Sequence, residues 1–86
     1  MIIPTVHMNG TDGRDLLEQQ QAVLDALRAV PFAMFAATPN GRDYYPQGED
    51  ALHEARMAFN KHFKTIQDMI TDFDYVLMGI EDQINS

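Results

Sequence analysis

Two long stretches of the chain alternate apolar and polar residues with a helical period. From about Arg14, apolar residues fall at Leu16, Leu17, Val23, Leu24, Leu27, Val30, Met34 and Phe35, while Glu18, Gln19, Gln21, Asp25 and Arg28 lie mostly off that stripe. Pro31 interrupts the run, and an interior proline costs about 3 kcal/mol in a helix. The pattern resumes in phase after it, which favours a bend over a break. Pro39, Asn40 and Gly41 then end the segment.

The second stretch is more regular. Leu52, Ala55, Phe59, His62, Ile66, Met69, Phe73, Val76, Ile80 and Gln83 are spaced alternately three and four apart, and Phe63, Ile70, Leu77 and Ile84 add an adjoining line at every seventh residue. This is a heptad with a, d and e apolar, broader than a two-stranded seam and suited to a bundle. The first ten residues, with Pro4 among Ile2, Ile3, Thr5 and Val6, read instead as an extended arm.

These patterns predict an all-α chain: an arm over 1–12, a helix over 13–37, a loop over 38–48 and a helix over 49–85, forming one hairpin domain. Thr11 or Asp12 is the expected N-cap of the first helix, with Asp15 and Glu18 following at the positive end of its dipole. At 1.5 Å per residue the second helix is roughly 50 Å long against roughly 35 Å for the first. A flush hairpin would then leave the last turns of the second helix, with Val76, Leu77, Ile80 and Ile84, without a partner unless the arm folded over them. Two helices cannot cover a stripe three positions wide, so a homo-oligomer is expected, most simply a dimer closing a four-helix bundle.

Composition narrows the function. The chain has 86 residues, no cysteine and a net charge of −7. All six basic residues lie in 1–64, while residues 65–86 hold Asp68, Asp72, Asp74, Glu81 and Asp82 with no lysine or arginine. Such a chain repels polyanions, so general nucleic-acid binding is not expected, although local arginines leave room for a small anion. The first residues lack a basic, long-apolar leader, and no apolar run approaches the roughly 20 residues that span a bilayer, so a soluble cytoplasmic protein is expected. No nucleophile–base–orienter set is visible, no cofactor motif appears, and His53 and His62 lack helical metal-ligand spacing. The expectation is a protein that is not an enzyme.

Two short segments stand out as candidate sites. Between the helices lies Pro39-Asn40-Gly41-Arg42-Asp43-Tyr44-Tyr45-Pro46-Gln47-Gly48. Its glycines and prolines are helix punctuation, and one reading has the tyrosines cap the bundle end. The functional alternative gives Arg42 a phosphate or carboxylate, a tyrosine of Tyr44 and Tyr45 a planar group to stack on, and Asp43 a hydrogen bond from a sugar or base, with the following helix N-terminus adding its positive end. Before the first helix lies His7-Met8-Asn9-Gly10-Thr11. It reads as a helix cap or, alternatively, as an anion site formed by His7, Asn9, Thr11 and Arg14 with free backbone amides. One helix length, roughly 30 Å, separates the two segments within a chain. A joint site therefore needs a second subunit packed antiparallel.

With those motifs in view, the chain resembles a group of small proteins encoded by tailed bacteriophages and prophages. They carry an H-x-N-G-T arm, a helix, an R-D-Y-Y-P-Q-G loop and a second helix; Asp12-Gly13 and Pro31 depart from that pattern. The resemblance implies a phage origin and a host bacterial cytoplasm. Small helical phage proteins of this kind often neutralise host defences, by sequestering a nucleotide immune signal or by covering a host protein. The leading expectation is thus capture of a small anionic, nucleotide-type ligand at a subunit interface. The alternatives are a protein-interaction module using the acidic and apolar end of the second helix, and an assembly role in the phage.

Overall fold

The computed structural model describes residues 1–86 and is all-helical. Helix α1 runs Gly13–Ala36, a single turn α2 runs Gly41–Tyr44, a 3-10 turn runs Tyr45–Gln47, and α3 runs Glu49–Asn85. The long helices form an antiparallel hairpin measuring 61 × 19 × 18 Å. Helix α1 is continuous through Pro31.

Local chemistry explains the ends. Asp12, not Thr11, caps α1, its Oδ1 accepting from the Arg14 amide at 2.8 Å. At the other end the Ala37 and Thr38 amides donate to Met34 and Phe35, and Pro39 follows where it cannot extend the helix. The loop expected over 38–48 is itself mostly helical: Asn40 caps α2 by accepting from the Arg42 amide at 2.9 Å, and Gly48 leads into α3 at φ 104°. That backbone region is essentially restricted to glycine.

The register overturns the expected overhang. Arg28 Nη2 lies 3.3 Å from Asp74 Oδ1, and the Cα of Gly13 faces the Ile84 side chain. Ala36, eight residues beyond Arg28, therefore reaches only about the level of Ile66. It is the first four turns of α3, not the last, that extend past α1. Residues 37–48 continue past the end of α1 along those turns, so that Gly41 meets Leu52.

The core sits at the arm end. Leu24, Val76, Leu77 and Ile80 are the only four buried residues. Of the α3 end assigned above to an interaction surface, Val76, Leu77 and Ile80 are thus covered inside the chain, while Ile84 stays 38% exposed. The arm completes this cover: Ile3 fills the space where a Cβ would stand on Gly79, and Val6 lies against Gly13. Gln83 holds the arm, with Oε1 accepting from the Val6 amide at 2.8 Å and Nε2 donating to the Pro4 carbonyl at 2.9 Å.

Elsewhere the apolar stripe is only half covered. Phe59, Phe63, Ile66, Ile70 and Phe73 are half-buried, and His62 and Met69, placed on the stripe by periodicity, face solvent. Phe35, also placed on it, is 82% exposed, as is Phe32. No single helix is long and apolar enough to cross a membrane.

Candidate functional site

The arm segment folds as a turn. The Gly10 amide donates to the His7 carbonyl at 3.2 Å, and the His7 ring occupies the space beside the Gly10 Cα. A side chain at Gly10 would collide with that ring. His7, Asn9, Thr11 and Arg14 are all exposed, and their side chains make no hydrogen bonds within the chain. The amide expected to greet an anion is already bound by Asp12, and Asp15 adds negative charge in the first turn.

At the opposite end, the turn α2 presents Arg42 and Asp43 to solvent. Tyr44 is half-buried, whereas Tyr45 is 77% exposed. The two adjacent tyrosines therefore do different things: one closes the end of the hairpin, the other leaves its ring in water. Arg42 makes no ion pair; the two pairs in the chain are Arg28–Asp74 and Lys64–Asp68. The N-terminus of α3 does not add an anion site here, because Glu49 and Asp50 fill its first turn and already complement the dipole.

The two segments stand further apart than one α1 length, because residues 37–48 continue past the end of α1. From Leu52, beside Gly41, to Gln83, beside Val6, α3 rises roughly 46 Å. Nothing in one chain brings Arg42, Asp43, Tyr44 or Tyr45 to His7, Asn9, Thr11 or Arg14.

Neither surface cleft includes a candidate residue. The larger, about 530 Å³, is a shallow depression on α3 alone, along Met57, Lys61, Lys64 and Asp68. The smaller, about 240 Å³, lies between the helices at Leu17, Gln21, Leu77 and Glu81. No cluster of three or more histidine or acidic side chains is placed to hold a metal ion.

What periodicity missed is the outward face of α1. Ala22, Ala26, Ala29, Ala33 and Ala36 are all exposed, beside Phe32. The signal was present in the chain: no residue from Ala29 to Gly41 is charged, and the alanines are spaced four and three apart. No family model, curated protein or solved structure matches the chain.

Proposed function

We propose that the protein acts by stoichiometric binding, without a reaction of its own, as a homo-oligomer of helical hairpins. One observation carries this reading: only four residues are buried, while Phe32 and Phe35 stay 82% exposed. A chain this short has difficulty burying enough apolar surface alone, and burial between copies supplies what the monomer lacks. Light scattering on the purified protein tests it. The expected mass is a multiple of the 9.8 kDa chain at micromolar concentration. A one-chain mass across that range overturns the reading.

A second reading concerns what such an assembly captures. Arg42 lacks an ion-pair partner and stands beside the exposed Tyr45 at one end of the hairpin. In an antiparallel pair centred near the middle of α3, that end lies against the neighbour's arm. Arg42, Asp43, Tyr44 and Tyr45 of one copy, with His7, Asn9, Thr11 and Arg14 of the next, would then hold a small anion with a planar group, such as a nucleotide. In a phage-encoded protein this would be a host immune signal. Thermal-shift measurements against cyclic and linear nucleotides should show stabilisation that Arg42→Ala abolishes. Stabilisation unchanged in that variant, or none with any nucleotide, removes this reading and leaves the assembly untouched.

A further inference from the structure

We infer that the outward face of α3 docks a second copy's α3, antiparallel and centred on Ile66; this rests on the self-association proposed above and names a surface for it. At 100° per residue, Met57, Lys61, Lys64, Asp68, Asp72 and Tyr75 fall within about 80° of one another around the helix. They lie opposite the line of Phe59, Ile66, Ile70 and Leu77 that faces α1. All six are exposed, Met57 at 61% and Tyr75 at 57%.

The order of charge along this face points to the partner. Two lysines are followed by two aspartates, and an apolar side chain closes each end. Met57 with Tyr75, and Lys64 with Asp68, both have Ile66 as their midpoint, and Lys61 with Asp72 misses it by half a residue. A two-fold axis there meets every lysine with an aspartate and every aspartate with a lysine, so the face is its own complement. A parallel copy would instead set lysine against lysine and aspartate against aspartate, which opposes association. Within one chain half of this charge goes unused. Lys64 reaches Asp68 at 3.1 Å, while Lys61 and Asp72 have no ion-pair partner. The axis brings the two Lys64–Asp68 pairs together as a network of four alternating charges, which contributes where an isolated exposed pair does not.

The free length of the face is bounded. Past Tyr75 the arm lies on it, with Ile3 against Gly79, and Glu54 comes level with that position on the second copy. The contact thus runs about 27 Å, from Met57 to Tyr75. Met57, Asn60, Lys61 and Lys64 edge a depression within it. They have the spacing of a hole that receives a knob, and the second copy's Tyr75 stands level with the Met57 end. Charge also separates this occupant from others. A membrane or a nucleic acid would attract the lysines but be repelled by the aspartates one turn away.

Charge exchange on the full chain tests the surface. Lys61→Glu with Lys64→Glu makes the face wholly acidic, and Asp68→Lys with Asp72→Lys makes it wholly basic. Each variant alone should scatter at half the wild-type mass, while far-UV circular dichroism keeps the helical amplitude. Mixed in equal amounts, the two should regain the wild-type mass. Each exchange moves the charge of −7 by two, to −11 and −3, so only facing side chains can restore pairing between two net-negative chains. The absence of cysteine lets introduced thiols report the register. Met57→Cys and Tyr75→Cys should cross-link when mixed under mild oxidation but neither alone. Like positions stand about 27 Å apart, and a disulfide needs Cα atoms within roughly 7 Å. Met57→Cys cross-linking to itself would overturn the antiparallel arrangement. An unchanged mass in both charge variants, or variants that fail to pair when mixed, would overturn this surface while leaving self-association standing. A monomeric wild type would overturn both.

Discussion

Removing the Gln83 side chain should free the arm without unfolding the hairpin. Gln83 accepts from the Val6 amide at 2.8 Å and donates to the Pro4 carbonyl at 2.9 Å. Few other polar contacts fix the arm, and Ile2 and Met8 lie almost wholly in solvent. Gln83→Ala deletes both bonds, each worth about 0.5–1.5 kcal/mol net, so arm opening becomes easier by about 1–3 kcal/mol. Native-state hydrogen exchange reads this at one proton, the Val6 amide. Its exchange should accelerate roughly 5- to 150-fold, because each 1.4 kcal/mol is a factor of ten. Gln83→Glu keeps the acceptor but cannot donate to Pro4, and should fall between the two. Amides around Leu24 and Ile80 should hold their rates, since α1 and α3 still bury them. The reasoning fails if Val6 exchange stays within twofold of the parent, or if Leu24 and Ile80 accelerate by the same factor as Val6.

Leu24→Ala should cost about 2–5 kcal/mol in urea unfolding, since its side chain is fully buried in a core of four residues; a loss below 1 kcal/mol would mean the site collapses freely. Gly48→Ala should destabilise by about 1–3 kcal/mol, seen as a lowered thermal midpoint, because φ 104° and ψ 165° are closed to a residue with a Cβ. Gln20→Leu should stabilise by about 1 kcal/mol in the same assay. Gln20 Oε1 is shut off from solvent with no donor, so its desolvation goes uncompensated in the parent chain.

Periodicity and punctuation were enough to locate both long helices, because capping and heptad spacing are local properties. Asp12 before Gly13, Pro39 after Thr38 and Gly48 before Glu49 mark ends that the backbone respects. The register was not legible. Helix lengths alone suggested that α1 and α3 start level at the loop, which left the end of α3 bare. In fact Asn40 caps a helical turn, and residues 37–48 occupy part of the length along α3 that α1 was expected to cover. Phe35 shows the same limit at one residue: its spacing matched the stripe, yet it is 82% exposed. For the candidate site, the separation of the two motifs followed from helix geometry. Acids occupy both helix starts, Asp12 and Asp15 at one and Glu49 and Asp50 at the other, so an anion there would rest on side chains rather than on the helix-start amides.

The elongated shape governs how this protein must be weighed. Its radius of gyration is 18.8 Å, whereas a compact chain of 86 residues would have about 12 Å. By that relation the monomer is as extended as a globule of roughly 280 residues. Elution volume alone would therefore report an assembly even for a single chain. Laying a second hairpin alongside the first doubles the mass yet adds only about 2 Å to the radius, since the long dimension is unchanged. Joining two end to end would nearly double it. Forward scattering counts the chains and the radius tells how they are arranged, so one small-angle X-ray experiment separates lone rods, paired rods and filaments.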